Sequence, residues 1–113
     1  MNKVFYQSSL VKFIRSKKGK ALDLASGNET FVNLLLKNHW YVDSVDFKKK
    51  TSFNKTNYSF NQIDLEKTTL SKIRRRLALR KYDLVMLFRF LHRPLFRIIP
   101  LLMKKNGLFL RNI

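Results

Sequence analysis

The sequence predicts an α/β sandwich of three layers, in which a mostly parallel sheet of strand order 3-2-1-4-5 carries helices on both faces. Three observations predict it. Short strand-like apolar runs alternate with amphipathic helical stretches, and such alternation demands crossover connections and hence parallel strands. One run, Tyr82–Phe88, is almost continuously apolar, as a strand buried on both faces must be. The chain has 113 residues, 45% hydrophobic and 13% aromatic, which is enough for one core and one domain, residues 1–113.

The elements follow in order. Ser8–Lys18 places Leu10, Val11, Phe13 and Ile14 among cations, a short amphipathic helix that Gly19 stops. Lys20–Leu24 is a short strand and Ala25-Ser26-Gly27-Asn28 a turn of small and polar residues. Thr30–Asn38 carries Phe31, Leu34, Leu35 and Leu36 at helical spacing, and Tyr41–Phe47 alternates as a strand does. Lys48–Ser59 is a polar loop, and Phe60–Leu65 a further strand. Thr68–Leu79 is a basic helix with Leu70, Ile73 and Leu77 on one face. After Tyr82–Phe88, Pro94 sits in the first turn of a helix reaching about Met103, with a kink at Pro100. Lys105-Asn106-Gly107 is a turn, and Leu108–Ile113 the last strand.

The charge is extreme. Lys and Arg total 24 against seven Asp and Glu, a net charge of +17 and an isoelectric point near 10.7. A charge this large attracts polyanions and says nothing of fold. Lys72, Arg74, Arg75, Arg76 and Arg80 are the candidate nucleic-acid contacts, and Lys48-Lys49-Lys50 is a second cationic run. A solvated helix face and an AT-rich coding sequence account for the same cations. No signature of stacking aromatics for RNA is present. The absence of cysteine excludes disulfides, a thiolate nucleophile and Cys-ligated metals. The two histidines, His39 and His92, are too few for a His-rich metal site. The uncharged apolar runs fall far short of the ~20 residues that span a bilayer, and no secretory core follows the first residues. A cytoplasmic protein is therefore expected.

Several motifs recur at the expected strand ends. They are Leu22-Asp23-Leu24-Ala25-Ser26-Gly27-Asn28, then Val42-Asp43-Ser44-Val45-Asp46, then Asp64, then Tyr82-Asp83-Leu84-Val85. Leu91-His92-Arg93-Pro94-Leu95-Phe96 and Lys104-Lys105-Asn106-Gly107-Leu108-Phe109-Leu110 continue the order. In this arrangement the chain, over roughly residues 7–113, resembles the class I S-adenosylmethionine-dependent methyltransferases, a Rossmann-like family. The resemblance implies methyl transfer from S-adenosyl-L-methionine to a nucleophilic acceptor. The alternative is a catalytically degenerate Rossmann-like module that binds nucleic acid through its basic surface.

The resemblance also implies roles. Asp23 would help hold the methionine moiety through the turn, whose Ala25, Ser26 and Gly27 let the backbone approach a ligand closely. Asp46, an acid ~20 residues beyond the turn, would accept the ribose hydroxyls, with Phe47 beside it. Asp64, with Leu65 beside it, would accept from the adenine amino group. Phe88 and Arg89 would flank the methionine side, and His92 would serve as the base that deprotonates the acceptor. Asp83, at the opposite end of its strand, reads as structural. Two departures from the family pattern stand out. The positions of its three turn glycines hold Ala25, Gly27 and Glu29, and a carboxylate at the third would meet the methionine carboxylate. The last two strands of the full family fold are also missing from the pattern.

Overall fold

Every residue of Tyr82–Leu87 is buried, so this strand lies at the centre of the molecule rather than at its surface. A computed structural model describes residues 2–25, 29–48, 55–77, 81–88 and 92–111, with the side chains of 2–8 and 29 left aside. It contains five strands: β1 (Lys20–Leu24), β2 (Tyr41–Asp46), β3 (Tyr58–Gln62), β4 (Tyr82–Leu87) and β5 (Met103–Arg111). Their order is β3-β2-β1-β4-β5, and every pairing is parallel. The helices are α1 (Asn2–Ser16), α2 (Glu29–Lys37), α3 (Leu70–Leu77) and α4 (Ile99–Leu102), with a 3-10 helix at Arg93–Arg97. This is a Rossmann-like α/β fold.

The period of two along each strand divides the core between the two faces of the sheet. On one face Leu22, Leu24, Val45, Val85 and Leu87 pack under Ile73 and Leu77 of α3, Leu95 of the 3-10 helix, and Ile99 and Leu102 of α4. On the other, Ala21, Val42, Leu84 and Met86 pack under Leu10 and Ile14 of α1 and Val32, Leu35 and Leu36 of α2. Each fully buried Leu, Ile or Val contributes about 1.5–3 kcal/mol. Trp40, wholly buried, fastens α1 to the second face: its indole N–H donates to the Ile14 carbonyl at 3.0 Å, one of the carbonyls that the helix end leaves unbonded. The α2 helix ends in a left-handed turn. His39 has φ 66°, the Trp40 N–H donates to the Leu35 carbonyl at 3.0 Å, and the His39 N–H to the Leu36 carbonyl at 3.2 Å.

Polar side chains tie all five strands together at the amino-terminal edge of the sheet. Asp43 of β2 accepts from the Tyr82 hydroxyl of β4 at 2.7 Å and the Ser59 hydroxyl of β3 at 2.6 Å, with the Lys20 ammonium of β1 at 4.0 Å. Asp83 of β4 accepts from the Lys20 N–H at 2.9 Å and from the Lys104 ammonium of β5 at 3.4 Å, and Lys17 stands 3.6 Å away. Burial pushes the Asp83 carboxyl up, but these donors and cations outweigh it and hold the group below its usual 3.8. Asp83 is therefore structural, as its position predicts.

Four sequence expectations are corrected. Gly19 does not stop the first helix: the helix expected at Ser8–Lys18 runs Asn2–Ser16, and Gly19 is not at positive φ. It is glycine because a Cβ there would collide with the Asp83 carboxylate. The strand expected at Phe60–Leu65 lies at Tyr58–Gln62, and Ile63 and Leu65 are core residues of the following turn. The single kinked helix expected from Pro94 is two short ones, each with a proline in its first turn and sharing Ile98 as the boundary. Proline has no N–H to continue the first and is well placed to start the second. Finally, Lys105-Asn106-Gly107 is part of β5, which shifts register against β4 between Tyr82 and Leu84. Gly107 is needed there because a Cβ would approach the Tyr82 carbonyl to 2.9 Å.

Candidate functional site

Parallel strands present all their carboxyl ends on one edge, and ligands of such sheets bind there, where the strand order reverses. In this chain the reversal falls at β1, which lies between β2 and β4. The helix that follows β1, α2, packs on one face, and the helix that precedes β4, α3, packs on the other.

Ala25 leaves β1 in the left-handed region, at φ 56°. An L-residue pays about 1–2 kcal/mol for that conformation, so the turn is shaped by its surroundings rather than by alanine's preference. Ser26 and Gly27, the rest of the expected turn, lie outside the described residues. Glu29 is the first residue of α2, and its side chain lies outside them too.

Asp23 is buried at 2% exposure, and the Ser44 hydroxyl of β2 donates to its Oδ2 at 3.3 Å. It braces the end of β1 against β2 from within the core. Asp46 closes β2 half-buried, and its Oδ1 accepts from the Phe47 N–H at 2.8 Å. Phe47 follows with 57% of its surface exposed, as large apolar side chains also are at Tyr41 and Leu101. Its carbonyl accepts from the Gln62 amide of β3 at 2.9 Å, which fixes the backbone, and the Lys48 ammonium lies 5.6 Å from the ring centre. Asp46 and Phe47 thus place a carboxylate and an accessible aromatic face side by side.

Asp64 is half-buried after β3. Its Oδ1 accepts from the N–H groups of Glu66 at 3.0 Å and Lys67 at 3.1 Å, so it shapes the turn that leads to α3. Leu65 is buried in the core beneath α3. Phe88 is buried after β4 with its ring 5.7 Å from that of Phe31, which joins it to α2. Neither presents its side chain at the edge. Arg89 lies outside the described residues. His92 is half-buried and begins the 3-10 helix: its carbonyl accepts from the Leu95 N–H at 3.0 Å, while its side chain makes no capping bond to that helix.

Asp23, Ala25, Asp46, Phe47, Asp64 and His92 thus lie on segments that run to one edge, while Leu65 and Phe88, set beside the cofactor by the resemblance, have buried side chains that pack in the two cores. Gln62, which steadies Phe47, and Ser44, which holds Asp23, read in sequence as ordinary polar strand residues. Among the described residues no cluster of three or more His, Asp or Glu side chains is placed to hold a metal ion. The sequence matches no family model, no curated protein and no solved structure.

Proposed function

We propose that the chain binds S-adenosylmethionine at the carboxyl edge of β1 and β2 and transfers its methyl group to a nucleophilic acceptor. One observation carries the reading: at the topological switch point, a strand-end carboxylate and an exposed aromatic ring, Asp46 and Phe47, adjoin the strand whose exit turn is left-handed at Ala25. When bound, the cofactor supplies an electrophilic methyl group on a sulfonium.

The chain's own residues do the positioning. Asp46 accepts from ribose hydroxyls, and hydrogen bonds to a charged acceptor are worth about 1.5–3 kcal/mol. The ring of Phe47 offers a flat apolar face to a base. Ala25, with only a methyl side chain, lets a ligand approach the backbone, and Asp23, held by Ser44, keeps that turn in place. His92, at the entry to the 3-10 helix, takes the acceptor's proton as a general base. In-line methyl transfer needs chiefly orientation and exclusion of water, so few catalytic side chains suffice. Leu65 and Phe88 support the site by packing behind it.

Calorimetric titration of the purified chain with S-adenosylmethionine tests this reading. Measurable binding is expected, and Asp46→Ala should weaken it about ten- to hundredfold. Equal affinity in Asp46→Ala with the fold intact removes the ribose assignment. No binding by the wild type at millimolar cofactor removes the methyltransferase reading.

A second reading is favoured by a separate observation. On α3, Lys72, Arg74, Arg75 and Arg76 are all exposed, while Ile73 and Leu77 are buried. Arg80 lies outside the described residues. Such a face can neutralise phosphates of RNA or DNA, and affinity should then fall steeply with salt. A flat dependence of log K on log[salt] returns these cations to the role of a solvated face.

A further inference from the structure

We infer that the outer edge of β5 docks an acidic protein segment, which joins the sheet as an added strand. This does not depend on any cofactor. Among the described residues β5 is an edge strand with no strand on its outer side, and an edge of this kind is a template for pairing. Beside it, between β5 and the Arg93–Arg97 helix with α4, runs an open groove of about 650 Å³. Phe96, Ile99 and Phe109 contribute its apolar lining, and Lys104, Lys105 and Arg111 its cations.

The aromatic floor is preassembled. The rings of Phe96 and Phe109 meet edge to face at 6.3 Å, and the Arg111 guanidinium lies 5.1 Å from the Phe96 ring centre. Arg111 therefore lines the groove with its guanidinium against the aromatic floor. Lys104 is engaged by Asp83, whereas Lys105 and Arg111 are exposed on the strand.

Charge selects the occupant. A second copy would bring the same cations against each other on a chain that already carries +17, and like charges set together at an interface cost several kcal/mol. A nucleic acid would meet the cations and stack its bases on the aromatic floor, but it brings no row of amide N–H and C=O groups to pair with the strand edge. An extended peptide satisfies all three features. Its backbone pairs with β5, its alternate apolar side chains enter the groove, and carboxylates flanking them reach Lys105 and Arg111.

The test uses the full chain and the synthetic peptide Glu-Thr-Val-Thr-Val-Thr-Glu at physiological salt. Two comparison peptides isolate the features: one with Lys at both ends, and one with the central backbone amides N-methylated and all charges kept. The acidic peptide should bind at least tenfold more tightly than either and should slow amide exchange at residues 108–111. Lys105→Glu with Arg111→Glu should reverse the preference toward the Lys-ended peptide. Equal binding of the N-methylated peptide overturns strand addition and leaves only attraction between opposite charges. Equal binding of the Lys-ended peptide overturns the acidic partner. A dimer in sedimentation that the same double substitution strengthens assigns the edge to a second copy instead and overturns the proposal.

Discussion

The two edges of the sheet both carry aspartates, and the chain treats them differently. At the amino-terminal edge Asp43 and Asp83 are nearly inaccessible and are bonded to side chains from neighbouring strands: Tyr82, Ser59, Lys20 and Lys104. Each of the five strands contributes at least one group. At the carboxyl-terminal edge Asp46 and Asp64 are half-buried and accept from the backbone N–H groups that directly follow them. The first arrangement spends carboxylates on holding strands in register. The second spends them on shaping loops, and next to it the chain exposes Phe47 and twists Ala25 into the left-handed region. The difference teaches where to look for function: charge that is matched from several strands is architecture, and charge that shapes a loop beside an exposed ring stands where a ligand of the strand ends would meet it.

The largest effect should separate the edges by stability. Tyr82→Phe removes the hydroxyl that donates to Asp43 and leaves a buried carboxylate short of a bond. Its expected cost is about 1.5–3 kcal/mol in urea unfolding. Asp46→Ala, at the other edge, should change stability by about 0.5 kcal/mol or less. If the two variants lose equal stability, the contrast between the edges fails.

Gly19→Ala tests the same edge sterically. The new Cβ would displace the Asp83 carboxylate from the Lys20 N–H and the Lys104 ammonium. Overpacking of this kind costs about 1–3 kcal/mol. Pairing it with Asp83→Ala, which empties the space, should recover part of the loss. No recovery would mean that Gly19 serves something other than room for Asp83.

Acid should act on the amino-terminal edge through Asp83. Its carboxyl is held below the usual value in the folded chain, so the unfolded chain binds the proton more readily. The stability it contributes is present above the unfolded pKa of about 3.9 and is lost as pH falls through the lower folded value. Urea denaturation from pH 6 down to pH 2 should therefore show a shallower loss for Asp83→Asn than for the wild type. An identical pH profile in both would deny Asp83 this role.

Much of this contrast was legible in the sequence, and the reasons can be given residue by residue. β1 and β4 are buried on both faces, so their apolar runs leave little choice of position. β3 and β5 are edge strands, and the cues there mislead. Ile63 and Leu65 look like strand residues because they are apolar, but they fill the core from a turn. Lys105, Asn106 and Gly107 look like a turn because they are polar or small, yet an exposed edge tolerates such residues in an extended chain. At the site, Asp46 could be placed from its distance to the first turn. The burial of the Leu65 and Phe88 side chains could not be read, because nothing in a sequence shows whether an apolar residue at a strand end turns inward.

The smallest expected effect is at Ala25, and it bears most directly on what the carboxyl-terminal edge is for. A left-handed alanine costs about 1–2 kcal/mol, which glycine would relieve. Glycine also frees the unfolded chain, which takes back about 0.4–1 kcal/mol. Ala25→Gly should therefore raise stability by only about 0.5 kcal/mol, measurable as a small rise in the urea midpoint. The matched change His39→Gly, at the left-handed turn that ends α2 on the far side of the β1–α2–β2 unit, should give a similar gain. Binding then distinguishes them. If the strained turn after β1 is held in place to meet a ligand, Ala25→Gly alters S-adenosylmethionine affinity while His39→Gly does not. If both leave affinity unchanged, the left-handed conformation at Ala25 is a feature of chain reversal alone, and the case for the carboxyl edge rests on Asp46 and Phe47.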